Sequence, residues 1–230
     1  MYRFTERLAR RVTTALILTA APLMSQLPNT GASVSAGQDN NWSVTARNIN
    51  TNSIAYQGPA FTMSSIPDGV WQPNTATFNW ISARPSGSLG SGNFEYLFST
   101  VVTPASDKML VSLGWDNTLL GAFLNGTING NGELIGATQL LGPQSGYGFC
   151  RDGDGALSSS SYPNCTLELM LDGLPTNQPA TITFVIRGDG GTDGLMISSS
   201  QSVVPEPASM VLLGTGLAGL GVAARRRRVA

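Results

Sequence analysis

Apolar and polar residues alternate in short runs along much of the chain between residues 37 and 204. In the clearest runs, 94–102, 109–115, 166–171 and 180–187, most alternate positions are apolar or aromatic. A period of two places successive side chains on opposite faces of a β-strand, so each run predicts a half-buried strand. Weaker runs of the same kind are 42–49, 78–83, 119–124, 133–137 and 195–204.

The separators between these runs are rich in Asn, Asp and Gly, which supply the positive φ angles of tight turns. They are Asp116-Asn117, Asn125-Gly126, the Asn-Gly-Asn-Gly run 129–132, Asp172-Gly173 and the Gly-Asp-Gly-Gly run 188–191. No helical periodicity of useful length interrupts them. About nine short strands within residues 37–204 are typical of one antiparallel β-sandwich. We therefore predict an all-β body at 37–204.

Residues 1–36 have the parts of a secretory signal peptide. Basic residues come first, an uncharged and mostly apolar stretch follows at 12–24, and small residues come next. The basic residues are Arg3, Arg7, Arg10 and Arg11. Val34-Ser35-Ala36 is the preferred cleavage site, and Ala32 is the alternative. An uncleaved signal anchor is the competing interpretation.

The C-terminal segment 205–230 contains an uncharged, mostly apolar run at 208–224, which is 17 residues long. As a helix this run would extend roughly 25 Å, close to the hydrocarbon thickness of a bilayer. Four basic residues follow it, namely Arg225, Arg226, Arg227 and Arg228. Arginine clusters stay on the cytoplasmic side, so the segment predicts a transmembrane helix with a positive membrane stop.

Pro205-Glu206-Pro207, the apolar run and the basic cluster together resemble the PEP-CTERM sorting signal of Gram-negative bacteria. The resemblance implies recognition by an exosortase and processing near Pro205, Glu206 and Pro207. The body would then move to the outer surface or the extracellular matrix. An ordinary single-pass tail anchor is the alternative.

Two stretches of the body resemble the galactose-binding-like jelly roll of carbohydrate-binding modules. The stretch 109–132 has a strand, the Asp116-Asn117 turn and a strand ending in Asn125-Gly126; the stretch 179–203 has a long strand before a Gly-rich turn. The resemblance implies a jelly-roll-like sandwich and a sugar ligand.

Charge and composition narrow the function classes. The body has five basic and twelve acidic residues, a formal charge of 5 − 12 = −7, which disfavours nucleic acid as a partner. The chain has no histidine, which excludes Ser-His-Asp catalysis and histidine metal sites. Two carboxylates would suffice for a glycosidase. However, most aspartates lie in turns, and Glu95, Glu133 and Glu168 alternate with apolar residues and are predicted to face solvent. We therefore predict no enzymatic activity and no cofactor.

The only two cysteines, Cys150 and Cys165, lie in the exported body, where a pair favours a disulfide. A loop of about 15 residues closed in this way would contribute roughly 3 kcal/mol. Between them, Asp152-Gly153-Asp154-Gly155 resembles the start of a calcium loop, but its twelfth position is Pro163 rather than Glu. A looser Ca²⁺ site at Asp152 and Asp154 stays an alternative to a solvated turn.

Aromatic side chains are the remaining candidates for ligand contact, because sugar rings stack on Trp and Tyr. Trp71 and Tyr147 lie in predicted loops and are the candidates for glycan binding. A Trp71 that closes one end of the sandwich is the competing interpretation. Trp80 and Trp115 lie on predicted strands and are expected in the core.

The sequence thus predicts an exported, exosortase-processed protein of the outer surface or extracellular matrix. Its inferred role is structural or adhesive, with exopolysaccharide as a candidate partner. A carbohydrate-binding module with a specific glycan is the first alternative, and a secreted two-carboxylate hydrolase is the second.

Overall fold

The computed structural model describes residues 26–35, 37–67, 71, 74–144 and 167–198. Within these ranges the chain forms strands, turns and bends but no helix, which confirms the all-β prediction for this part of the chain. None of the described residues therefore belongs to a helix long and apolar enough to cross a membrane. The predicted helix at 208–224 and residues 1–25 of the predicted signal peptide lie outside the described residues.

The described part of the chain contains thirteen strands. They are β1 (Val34–Ser35), β2 (Gln38–Asn48), β3 (Ser53–Thr62), β4 (Ile81–Ser82), β5 (Phe94–Val102), β6 (Lys108–Asp116), β7 (Thr118–Leu124), β8 (Thr127–Ile128), β9 (Leu134–Ile135), β10 (Thr138–Leu141), β11 (Leu167–Asp172), β12 (Ala180–Gly188) and β13 (Gly194–Ser198).

The strands pair antiparallel in the order β10-β7-β12-β5-β2-β3-β4-β13-β6-β11, with β1 beside β2 and a separate β8–β9 hairpin. β3 pairs with β2 along most of its length and with β4 only at its end, where Phe61 lies opposite Ser82. It therefore connects two layers. Layer A contains β10, β7, β12, β5, β2 and β3; layer B contains β4, β13, β6 and β11.

One hydrophobic core fills the space between the layers. Across layer A, Val44, Phe98, Phe184 and Ala122 lie in register and are all buried. The next row of side chains that point to the core is also in register and buried, and it contains Ala46, Tyr96, Ile186 and Leu119. Layer B contributes Val111, Leu113, Trp115, Leu195 and Ile197 to the same cluster. The body is thus β-sandwich-like, because each layer presents alternate residues to a shared interior.

The strongest predicted strands are confirmed. The run 94–102 coincides with β5, and 109–115 and 180–187 agree with β6 and β12 to within one residue at each end. Two predicted strands shrink to short pairs, Ile81–Ser82 and Leu134–Ile135. β3 was not predicted, because Gly58 and Pro59 interrupt its pattern and most of its side chains are exposed or half-buried.

Several turns predicted from Asn, Asp and Gly lead to a strand in the other layer. Asn117 joins β6 in layer B to β7 in layer A, and Gly173 follows β11 on the way to β12. Gly173 and Gly190 have positive φ angles of 88° and 79°, as expected for such turns. Local turn chemistry therefore predicted where strands end but left their partners undetermined.

Candidate functional site

The surface of layer A that points away from the core carries a polar band. Ser43, Ser99 and Thr183 lie in register across β2, β5 and β12, flanked by Pro59 of β3 and Phe123 of β7. These residues alternate with the buried ones because strand side chains point to opposite faces. We call this surface the outer face.

The β8–β9 hairpin lies over part of the outer face. Its residue Leu134 lines one cavity with Leu97 and Val185, and a second with Ser43. This cover explains why Leu97 and Val185 are 1% and 7% exposed although they point away from the core. The outer face is therefore partly roofed, with a groove between the hairpin and the sheet.

The hairpin is held in place by its own turn and by β2. The Asn129 carboxamide oxygen accepts hydrogen bonds from the backbone N–H groups of Asn131 and Glu133, each at 2.9 Å. Gly132 has a φ of 79°, and a Cβ added there would lie 3.0 Å from the Arg47 Cβ. Only glycine combines this backbone conformation with such a close approach to β2.

An ion-pair network crosses the outer face at the next polar row. The Glu95 carboxylate accepts from Arg47 on β2 at 2.6 Å and from Arg187 on β12 at 2.5 Å. Arg47 also contacts Glu133 of the hairpin at 2.9 Å. The prediction that Glu95 faces solvent is wrong, since the residue is 8% exposed. Its outward position is covered by the two arginines that neutralise it.

The groove extends beyond the hairpin and comprises three neighbouring cavities of about 420, 390 and 350 Å³, the second of which is lined by β2, β3, β5 and β12 alone. The first is mostly apolar and ends at Arg47, Glu95 and Glu133. The other two share Ser43, Ser99 and Thr181. Their further hydroxyl- and amide-bearing residues are Gln38, Asn40, Asn41, Thr45, Gln57, Thr100 and Thr183. Such a lining offers many hydrogen-bond donors and acceptors with little net charge.

A second polar cluster is buried on the core side of β5, beside Tyr96. The Asp193 carboxylate accepts hydrogen bonds from the Tyr96 hydroxyl at 2.9 Å, from the Gly190 N–H at 3.0 Å and from the Asn117 amide at 3.2 Å. Asp116 lies next to it, because Asp116 pairs with Gly194 in the β6–β13 register. Asp193 lies in the turn before β13 as predicted, whereas Asp116 is the last residue of β6 rather than a turn residue. Both aspartates are buried.

Burial changes the acidity of these groups. It raises the pKa of Asp116 to about 7 and that of Asp193 to about 6, and in each case the negative charge of Asp189 adds to the rise. Burial also raises the pKa of the Tyr96 hydroxyl, and the neighbouring Asp193 charge acts in the same direction. Neither Asp116 nor Asp193 lines any of the three cavities.

Trp71, predicted as an exposed glycan contact, is 2% exposed. Its ring centroid lies 4.2 Å from that of Trp80, in a small cluster with Met63 and Met196. The expected exposure is therefore wrong, and Trp71 fills space beside the main core. Trp80 and Trp115 are buried as predicted, and Glu168 is exposed as predicted.

The other predicted site residues lie outside the described residues. They are Tyr147, Cys150, Cys165, Asp152, Asp154, Pro205, Glu206, Pro207, Arg225, Arg226, Arg227 and Arg228. Within the described ranges, no three acidic side chains are placed to hold a metal ion together.

The polar row of the outer face was not identified from the sequence. Its members come from strands distant along the chain, so only the pairing register brings them together. The available signal was the alternation of Ser43 and Thr45 with Trp42 and Val44, which indicates that one side of β2 is polar.

Comparison with known proteins identifies the tail. The PEP-CTERM protein-sorting motif matches residues 203–228, which confirms the predicted resemblance. The motif implies an exported protein that is targeted to exosortase and transiently anchored in the membrane. A search of curated proteins finds no match.

Among solved structures, a β-glucosidase from Kluyveromyces marxianus aligns with 12% identity over 76% of this chain, with a TM-score of 0.29. The alignment spans 18% of that enzyme's chain. A similarity of this size carries no argument about the body's fold or activity.

Proposed function

We propose that the chain is a non-enzymatic protein of the outer surface or extracellular matrix of a Gram-negative bacterium, with a structural or adhesive role. An N-terminal signal peptide directs export, and a C-terminal transmembrane helix holds the chain until exosortase releases it. The body then contacts exopolysaccharide through the groove of the outer face. The sorting motif supports the destination, and the groove supports the contact.

The observation that carries the saccharide contact is the lining of the two polar cavities. A polysaccharide presents many hydroxyl groups, each of which can donate and accept a hydrogen bond. Ser43, Gln57 and Ser99 offer complementary groups on neighbouring strands at the same surface. The groove also runs across several strands, which suits an extended chain better than a compact ligand.

A carbohydrate-binding module for one specific glycan is the second candidate, and a jelly-roll-like arrangement of the sandwich belongs to this interpretation. It is favoured by the three adjoining cavities, which together form a bounded site. The two candidates differ in selectivity. A dedicated module binds one glycan on an array strongly over the others, whereas a matrix protein binds several related polysaccharides to similar extents.

The two-carboxylate hydrolase has one observation in its favour, the raised pKa values of Asp116 and Asp193. We consider this pair structural because both residues are buried and line none of the three cavities, and because the Asp193 carboxylate accepts three hydrogen bonds from the protein itself. No release of reducing sugar is expected from dextran, alginate or the producing strain's polysaccharide. Turnover that disappears in Asp116→Asn or Asp193→Asn would overturn the non-enzymatic assignment.

Affinity electrophoresis through gels containing dextran, alginate or the producing strain's polysaccharide tests the groove. The variant Ser43→Ala/Gln57→Ala removes two exposed groove side chains, and net hydrogen-bond energies of about 1 kcal/mol predict a roughly tenfold loss of affinity or more. Ser53→Ala/Gln139→Ala is the matched control, since both residues are exposed and line none of the cavities. Equal retardation of both variants and the wild type would refute the groove as the contact.

The destination has its own test. Cells carrying Pro205→Ala/Glu206→Ala/Pro207→Ala are expected to keep the body in the membrane fraction, because the exosortase loses its recognition triplet. Wild-type cells should release it to the surface or matrix. An unchanged distribution between fractions would contradict exosortase processing.

A further inference from the structure

The segment that precedes β2 is part of the folded body. Residues 26–35 fall within the predicted signal peptide 1–36, yet they pack on both layers of the sandwich. Leu27 is 1% exposed and belongs to the main hydrophobic core. β1 (Val34–Ser35) pairs with the start of β2.

Thr30 lies between layer B and the strand-poor segment before β4. Its N–H donates to the Ile197 carbonyl at 3.1 Å, and its hydroxyl accepts from the Ile197 N–H at 3.0 Å. Its carbonyl accepts from the Asn79 N–H at 2.7 Å, and its hydroxyl donates to the Asn79 carbonyl at 2.6 Å. Thr30 thereby extends the edge of β4, which alone is too short to pair with β13 as far as Ile197.

The neighbours of Thr30 satisfy two further buried groups. The Pro28 carbonyl accepts from the Trp42 indole N–H at 3.1 Å. The Gly31 N–H donates to the carboxylate of Asp39, which is 1% exposed. Burial raises the pKa of Asp39, and its backbone donors, including Gly31, act against this rise. Each of these groups loses a partner if the segment is absent.

We propose that residues 26–35 are retained in the mature protein and that any N-terminal cleavage falls before Gln26. Signal peptidase cuts the chain before it folds, so small residues at Val34-Ser35-Ala36 suffice to suggest a site there. The contacts that residues 26–35 make in the folded body distinguish cleavage before Gln26 from cleavage at these later sites. Cleavage after Ala36 or after Ala32 would remove Leu27 from the core and leave the Ile197 backbone, the Trp42 indole and Asp39 short of partners.

Intact-mass measurement and N-terminal sequencing of the exported protein test the proposal directly. The expected N-terminus is Gln26 or an earlier residue, including Met1 if the signal acts as an uncleaved anchor. A mature chain that begins at any residue from Leu27 to Gly37 would overturn the proposal. Full-length Ala36→Leu and Ala32→Leu chains, which block cleavage at those two sites, should be processed as the wild type is.

A stability measurement supplies the second readout. Full-length chains with Thr30→Ala and with Ser33→Ala should be exported and compared by thermal unfolding. Thr30→Ala removes a fully buried side chain with two partners, so we expect Tm to fall by about 5 °C. Ser33→Ala is the matched control, a half-buried residue of the same segment, and should change Tm by about 1 °C or less. Identical Tm values for the two variants would show that the segment is not part of the mature fold.

Discussion

Replacement of Asp116 by Asn should change how the stability of the body depends on pH. Asp116 ends β6 and is buried beside Asp193, and its Oδ1 accepts no hydrogen bond from the described residues. A hydrogen bond from Trp71 favours its charged form, but burial has the larger effect and raises its pKa to about 7. The Asn side chain has the same shape and carries no charge at any pH.

The size of the effect follows from the shift. The folded-state pKa of about 7 exceeds the ordinary value of 3.8, so the folded state binds this proton more tightly than the unfolded state does. The free energy of unfolding therefore falls as pH rises from about 4, and the loss is complete above about pH 7. About three pKa units correspond to roughly 4 kcal/mol, with the adjacent Asp193 titrating in the same range.

Urea unfolding at intervals from pH 4 to pH 8 provides the assay. The free energy of unfolding of Asp116→Asn, taken relative to that of the wild type, should increase by on the order of 2 to 4 kcal/mol between pH 4 and pH 8. Asp172→Asn serves as the control, because Asp172 ends the neighbouring strand β11 but is exposed in a surface pair with Lys108. If the wild type and Asp116→Asn give parallel curves over this range, Asp116 is not held in the protonated form and the reasoning fails.

Further predictions concern packing, charge and covalent structure. Trp71→Ala should lower the free energy of unfolding by about 3 to 5 kcal/mol in urea titrations, as expected for truncation of a buried Trp. Glu95→Ala should lower the free energy of unfolding by about 3 kcal/mol in the same assay, because Arg47 stays largely buried with one partner fewer. Gly132→Ala should lower the free energy of unfolding by about 1 kcal/mol or more and increase proteolysis within the β8–β9 hairpin, because residue 132 has a positive φ. Mass spectrometry without reductant should find Cys150 and Cys165 linked; two free thiols would contradict the disulfide prediction.

The strands of the core were predictable because their burial pattern is local. Phe94, Tyr96 and Phe98 occupy alternate positions of β5, and this two-residue period of aromatic residues is visible without knowledge of any partner strand. β3 was not predictable in this way. It pairs with β2 through the half-buried residues Ile54, Tyr56 and Gly58, and its contribution depends on a register that the sequence does not state.

The candidate site depended on long-range pairing. Glu95 occupies an outward position on β5, and this alone predicts exposure. Its burial results from Arg47, which is 48 residues earlier, and Arg187, which is 92 residues later. The prediction for Trp71 was wrong in the opposite sense, because flanking Gly and Pro indicate a loop but do not reveal that the Trp71 side chain packs against Trp80.

The composition of the groove determines what kind of binding the proposed role would involve. The aromatic residues that line its cavities are Trp42, which is buried, and Phe123, which is half-buried. Without an exposed aromatic platform, contact relies on hydrogen bonds worth about 1 kcal/mol each, and a few of these correspond to dissociation constants on the order of millimolar. Weak single sites become effective when many copies engage one polymer, because each later contact forms at high effective concentration. A matrix protein meets that condition, whereas a solitary high-affinity module would require a stacking residue that the described groove does not present.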